Sequence, residues 1–516
     1  MKNAIGRELP ESICGRQVRP YGCVTDPVKT PVQSMRCHKA VRSRTKLVGS
    51  LREAIEASGL RDGMTISFHH CFREGDRVIE QVLSAIRSLG IGSLRFAPSA
   101  VVNLPETDLV SYIEDGTIDR VEASGIRGPL GNAVLHGKLP FPAVLRPHGA
   151  RPRAIEAGEL KIDVAFIGAS AADDYGNCTG LIGPNACGSL GYAFTDAMNA
   201  RCVIVVTDNL VPYPCIPVSI SQMYVDYVVQ VDNIGDTEKI ATGAARLTRN
   251  PRDLLIAERA ASLIAGSRRF KNGFSFQTGA GAISIAATAA LGRKMREKEV
   301  TAGFALGGIT AAIIDLYDEG LVRAVACSQS FDAVAARSIL DRPGVIEIDN
   351  ADYAHPFTKG GYLNREDFGV LGALEVDLDF NVNILQGASG EMMGGLGGGP
   401  DVAGSAGIPI ITMPIIRGRI PSVVERVSVA CTPGETVAAV VTEAGIALNP
   451  KHSSYEELRE DVKGTGLKIV SIEELHAICQ NMTGKPDPLR VEEKITCIVE
   501  YRDGTVLDVI RQLSKK

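Results

Sequence analysis

Seven glycines fall within the thirteen residues from 387 to 399, immediately before Pro400 and Asp401. Backbone without Cβ atoms can approach a ligand closely and turn its N–H groups toward anionic oxygen. An apolar stretch from Val376 to Ile384, read as one strand, leads into the segment, and a second from Ile408 to Met413 follows it. A loop after a strand in an α/β pattern sits where open parallel sheets bind their ligands. Glycine content alone is equally compatible with a plain surface loop.

An earlier stretch has the same order. Lys161 to Gly168 reads as a strand, a polar turn containing Asp173 and Asn177 follows, and Arg201 to Thr207 is another buried strand. The two places are read as diverged copies of one α/β unit. Asp173 and Asn177 are expected to fix their turn.

At 516 residues the chain can hold two or three domains with sizeable cores. A net charge of −5 gives no reason to expect nucleic acid or an anionic membrane as partner, and with no Trp and 5% aromatics it lacks stacking platforms for bases. Twelve cysteines without a CxxC pair support neither a zinc ribbon nor a redox motif. The uncharged run from Asn272 to Gly292 has membrane length, but its Gly, Ser, Thr and Gln content reads as a buried turn between strand and helix. With no secretory leader pattern, a cytoplasmic location is expected.

Residues 1–44, broken by Pro10, Pro20, Pro27 and Pro31, read as an irregular arm that wraps a surface or stays mobile. Residues 45–250 form the first expected domain. In it, Leu51 to Ser58 is a helix, Met64 to Phe68 a strand, His69 to Asp76 the loop behind it, and Val78 to Leu89 a helix. Ala257 to Ile264 is a helix that could bridge the halves. The second domain, 251–516, opens with a strand-to-helix turn at Gly279 and Gly281, and Asp503-Gly504 marks a hairpin expected as a small C-terminal appendage.

Four pieces in order resemble the CoA-transferase superfamily: Ala172-Asp-Asp-Tyr-Gly-Asn177, Gln277-Thr-Gly-Ala-Gly-Ala-Ile283, Gly397-Gly-Gly-Pro-Asp401 and Val440-Val-Thr-Glu-Ala-Gly-Ile-Ala447. Within it the chain is most similar to the α-subunit family of citrate lyase, through Met64 to His70, Phe72 to Asp76, Arg146-Pro-His-Gly-Ala-Arg151 and Phe166 to Asn177. The resemblance implies two tandem open-sheet, Rossmann-like α/β domains with the active site between them. It also implies exchange of acetyl for citryl on a CoA-like thioester, with release of acetate.

One departure bears on mechanism. Members that work through a glutamyl thioester carry a nucleophilic Glu eight residues before an Asp-Leu; aligning on Asp315-Leu316 puts Gly307 there. Glu391 and Glu443 are the nearest loop alternatives, each read as structural or substrate-orienting before nucleophilic. Direct exchange then needs backbone donors for oxyanions and cations for a tricarboxylate. The catalytic candidates are Gly307, Gly308 and His69. The substrate-binding candidates are Arg73, Arg146, Arg151, Gly279, Gly281, Gly397, Gly398 and His355, with Arg417 and Arg419 as further cations. Of the neighbours His69 and His70, one is expected to pack the strand end and the other, His69, to contact substrate.

The resemblance further implies, as cofactor, CoA or the phosphoribosyl-dephospho-CoA arm of a partner acyl carrier, not covalently held by this chain, and no metal. Its implied partners are citrate, an acetyl thioester, the acyl carrier (γ) and the citryl lyase (β) subunits, in homo- and hetero-oligomers. A CoA-transferase with a relocated glutamate and a non-catalytic scaffold subunit are the alternatives.

Overall fold

The structure is a computed structural model that describes residues 1–23, 45–101, 104, 107–240, 248–485 and 487–514. It is a mixed α/β protein built on two large, mostly parallel sheets. The first has ten strands, in the order Val506–Leu513, Val491–Glu500, Ala143–Leu145, Ile118–Ala123, Leu94–Pro98, Thr65–Phe68, Val164–Gly168, Cys202–Thr207, Tyr227–Gln230, Leu47–Val48. The second has nine, in the order Val345–Glu347, Val325–Ser330, Phe304–Ile309, Ser275–Thr278, Phe368–Gly372, Ile408–Thr412, Ala439–Val441, Ile446–Leu448, Ile469–Val470. Central strands are buried throughout, which is why they read as continuous apolar runs.

Both sheets reverse their winding direction at one strand. From Thr65–Phe68 the chain builds outward through Leu94–Pro98, Ile118–Ala123 and Ala143–Leu145, then returns to pair Val164–Gly168 on the other side. From Ser275–Thr278 it builds through Phe304–Ile309, Val325–Ser330 and Val345–Glu347, then returns at Phe368–Gly372. Such reversals open a crevice at the carboxyl ends of the strands. They also correct the repeat alignment, because the counterpart of Val164–Gly168 is Phe368–Gly372.

Val376 to Ile384 is not one strand. It is a hairpin of Glu375–Asp377 against Val382–Asn383 that belongs to a small three-stranded sheet. Asp377 turns the chain, accepting from the backbone N–H of Asp379 (3.0 Å) and Asn381 (2.9 Å) and from Asn381 Nδ2 (3.2 Å). Asp173 does the same between Ala171–Ala172 and Cys178–Thr179, accepting from Gly176 (2.8 Å), Asn177 (3.0 Å) and Asn177 Nδ2 (2.8 Å). The two Asp-to-Asn turns occupy matching places in the two sheets' winding.

Local signals account for several helices. Leu51–Ser58 starts where Ser50 Oγ accepts from Glu53 N and ends at Gly59 with φ 66°. Pro251–Gly266 packs on Ala282–Lys298 within the core of the second sheet and does not bridge the halves. Among the described residues no helix is long and apolar enough to cross a membrane.

The termini depart from expectation. The C-terminal hairpin is not appended to the second unit: Val491–Glu500 pairs parallel with Ala143–Leu145 at the edge of the first sheet. Buried Leu9, Ile13 and Val18 cover it together with Val144, Ile498 and Val506, and Tyr21 N donates to Val506 O at 3.0 Å. Residues 1–23 thus wrap the chain's own hairpin, while the rest of the expected arm, with Pro27 and Pro31, lies outside the described residues.

Candidate functional site

The carboxyl ends of both sheets converge on a cavity of about 510 Å³. From the first sheet, the loop after Thr65–Phe68 brings His70 and Arg73, the end of Ile118–Ala123 brings Ser124, Gly125 and Arg127, and the end of Ala143–Leu145 brings His148. From the second, the end of Ser275–Thr278 brings Gly279 to Gly281, and Val325–Ser330 brings Gln329 and Phe331. The glycine-rich segment closes one side through Met393 to Gly399. Both winding reversals therefore face the same space.

Two guanidiniums dominate its charge. Arg73, at φ 51°, lies over the Phe331 ring, 4.8 Å from its centroid. Burial, with Arg127 as neighbour, pushes Arg73 down to about 10; burial also lowers Arg127. No carboxylate is among the described lining residues, while Glu74, next to Arg73 in the chain, acts on both guanidiniums as an opposing charge. The helix Ala282–Lys298 adds positive potential, because its N-cap, Gly281, lines the cavity. Burial outweighs that carboxylate at both arginines, and desolvated cations facing a cavity favour an anionic ligand.

Two neutral histidines stand beside them. Burial and the nearby Arg73 hold His148 down to about 3. Its Nδ1 lies 2.5 Å from Tyr192 Oη, its backbone N–H donates to Gly397 O (2.9 Å), and its backbone carbonyl accepts from Asn350 Nδ2 (2.5 Å). His70, lowered by burial and by His148 and Arg73, sits 4.7 Å from the Tyr192 ring centroid.

Arg73, Gly279, Gly281, Gly397 and Gly398 are brought together here. The other expected site residues are placed elsewhere. Arg146 is buried between Glu122 and Glu500, with Nε 2.5 Å from a Glu500 oxygen. Arg151 is buried against Asp196 at 2.7 Å. His355 Nε2 is 3.2 Å from Glu156, and its Nδ1 accepts from Phe357 N. Gly307 and Gly308 are not lining residues: a Cβ on Gly307 would meet the Gln277 side chain at 2.6 Å, and Gly308 lies against the Phe331 ring. His69 turns inward, Nδ1 3.0 Å from Cys71 Sγ, and its neighbour His70 faces the cavity instead. Arg417 binds the carbonyls of Ala373 and Leu374. Arg419 and the exposed Glu391 are not among the lining residues, and Glu443 is occupied by Ile415 N at 2.8 Å.

Arg127 and His148 were not singled out in the sequence. His148 lies inside the Arg146 to Arg151 motif, where the arginines draw attention as carboxylate binders. Arg127 has only a local signal, a glycine-flanked turn after a strand.

A family model described as citrate lyase, alpha subunit, matches residues 44–513. The citrate lyase alpha chain of Klebsiella pneumoniae is 43% identical over 513 residues, covering 99% of each chain. That of Escherichia coli (strain K12) is 45% identical over 486 residues, covering 94% of each. A solved structure from Streptococcus mutans, described as an alpha subunit of citrate lyase in complex with citrate, superposes with a TM-score of 0.95 at 43% identity over 100% of each chain. A Pseudomonas malonate decarboxylase hetero-tetramer in complex with malonate gives a TM-score of 0.64 at 17% identity, covering 85% of this chain and 86% of that one, a likeness of fold alone.

Proposed function

The chain belongs to the citrate lyase α-subunit family, and on that premise we propose that it exchanges acetyl for citryl on a CoA-like thioester. The thioester is carried by the prosthetic arm of an acyl carrier subunit, and the citryl product passes to a lyase subunit of the same complex. No atom of this chain is bonded to the acyl group at any step. A citrate carboxylate oxygen attacks the acetyl carbonyl carbon, the C–S bond breaks, and a mixed anhydride and a thiolate result. The thiolate attacks the citryl carbonyl, the anhydride C–O bond breaks, and acetate leaves.

One observation carries this reading: the cavity shared by the two sheets holds Arg73 and Arg127 but no carboxylate among its described lining residues. A glutamyl route needs a carboxylate at the reacting carbon. Where that Glu would stand, Gly307 is packed on Gln277. Citrate, with three carboxylates, matches two guanidinium forks and a helix N-terminus. The cavity volume of about 510 Å³ falls in the range of small-ligand sites. The chain's contribution is position and charge.

The test uses the purified chain with acetyl-CoA or acetylated carrier plus citrate. Release of acetate with formation of citryl thioester is expected, and borohydride treatment after acyl-CoA incubation should reduce no glutamate. A reduced glutamate would replace this mechanism with the covalent one. No acetate release would leave the chain a scaffold.

A further inference from the structure

The ring of His70, which lines the cavity, has one nitrogen fixed by a buried hydroxyl. It follows the strand at which the first sheet reverses, and its surroundings come from both sheets. Its carbonyl accepts from Gln329 Nε2 (3.0 Å), a side chain from the end of Val325–Ser330 in the second sheet. Its backbone N–H donates to Ser99 Oγ (3.1 Å), and its Nδ1 lies 2.6 Å from the same oxygen.

Ser99 is only 2% exposed, so its single hydroxyl hydrogen needs an acceptor inside the protein. The oxygen is already accepting from the His70 N–H. Among the described residues, His70 Nδ1 is the one acceptor within reach of that hydroxyl. Ser99 therefore donates to Nδ1, and the neutral ring carries its proton on Nε2. With Nδ1 turned back to Ser99 and the ring lining the cavity, Nε2–H is what His70 offers to a ligand.

Resting on the exchange reading above, we propose that His70 is a catalytic residue whose neutral Nε2–H donates to the acyl carbonyl oxygen as it becomes an oxyanion. Ser99 is then the positioning residue that holds this tautomer. The same donor serves both additions, since citrate attack on the acetyl thioester and thiolate attack on the citryl anhydride each place one negative charge on a former carbonyl oxygen. No proton changes hands: the oxyanion collapses by expelling thiolate or acetate, and the N–H is a hydrogen-bond donor throughout. Neutrality suits the task, because a charged imidazolium would pair with citrate in the ground state as well as in the transition state. Burial first, and then the charges of His148, Arg73, His69 and Arg151, oppose protonation of the ring.

The experiment pairs kinetics with a direct reading of the tautomer in the full-length chain. In protein labelled with 15N-histidine, His70, assigned by its loss in His70→Gln, should show a protonated Nε2 and a bare Nδ1 across the neutral pH range. His70→Ala should lower kcat roughly 100- to 1,000-fold, with the citrate KM within about three-fold of the parent. His70→Gln, which keeps an N–H donor, should recover part of that loss, and Ser99→Ala should lower kcat while raising the population of the other tautomer. A proton on Nδ1 in the parent protein, or His70→Ala at parental kcat, overturns the assignment. If His70→Ala fails to fold, the tautomer and the Ser99→Ala kinetics still decide it. A parent chain that releases no acetate overturns the exchange reading itself, an outcome separate from active parent and equally active His70→Ala.

Discussion

Gly125, at the end of the strand Ile118–Ala123, and Gly395, in the glycine-rich segment, face each other across an antiparallel bridge. They are so close that a Cβ on Gly125 would overlap the Cα of Gly395. Next to them, Leu396 N donates to Ser124 O at 2.7 Å. The segment thus docks by its backbone on the opposite sheet and forms the cavity wall between them. The reciprocal contact exists as well: Gly188, in the loop after the first Asp-to-Asn turn, packs on Ser330 at the end of Val325–Ser330.

Gly125→Ala should separate this wall from the first sheet. Backbone meets backbone there, so no side chain can yield. A destabilisation of about 1–3 kcal/mol is expected, seen as a lowered Tm, together with loss of citrate affinity in calorimetric titration.

Arg127→Gln should weaken citrate binding. A hydrogen bond to a charged group contributes about 1.5–3 kcal/mol, or roughly 10- to 150-fold in Kd. Burial outweighs the nearby Glu74 carboxylate in disfavouring the Arg127 charge, so the Tm of the ligand-free protein should hold or rise. Titration calorimetry and thermal melts on one preparation read both effects.

Gly307→Glu should not restore a glutamyl enzyme. The site has φ 99°, and Gln277 fills the space a side chain would take. The expected outcome is a destabilised protein with no borohydride-reducible glutamate after incubation with acetyl-CoA, checked by mass spectrometry of peptides covering residue 307.

Acid should unfold the chain in part through Glu500. Its burial would raise the carboxyl, but Arg146, Arg16 and Arg153 outweigh that and hold it down to about 2. A depressed carboxylate contributes stability that is full above its unfolded pKa of about 4.3 and is lost as pH falls through the folded value. For this pair that is of the order of 3 kcal/mol, disappearing between about pH 5 and pH 2. Denaturant unfolding of the parent should show this fall, and the Glu500→Gln, Arg146→Met double variant should show a shallower one.

Much of the architecture was legible because it rests on near neighbours. The strand at Thr65–Phe68, the helix Leu51–Ser58 with its serine cap and closing glycine, and the turn at Gly279 each carry their signal within a few residues. Val376 to Ile384 misled because its apolar alternation continues through Asp377, and that side chain's bonds to Asp379 and Asn381 fold the stretch back on itself. The C-terminal hairpin was legible as a hairpin, but its partner strand, Ala143–Leu145, lies about 350 residues earlier in the chain.

What the sequence by itself determined was the α/β character, the glycine-rich approaches to a ligand, and a family whose motifs run through most of the chain. Only the tertiary structure decided which charged and titratable groups face that ligand. Arg146 and Arg151 carry the same guanidinium as Arg73 and Arg127, yet Glu122, Glu500 and Asp196, distant in sequence, claim the first two. His69 and His70 are adjacent, and the placement of Cys71 and Ser99 around them sends one ring inward and the other to the cavity. Local periodicity encodes secondary structure, whereas the neutralisation of a buried charge depends on partners that only folding brings within a few ångströms.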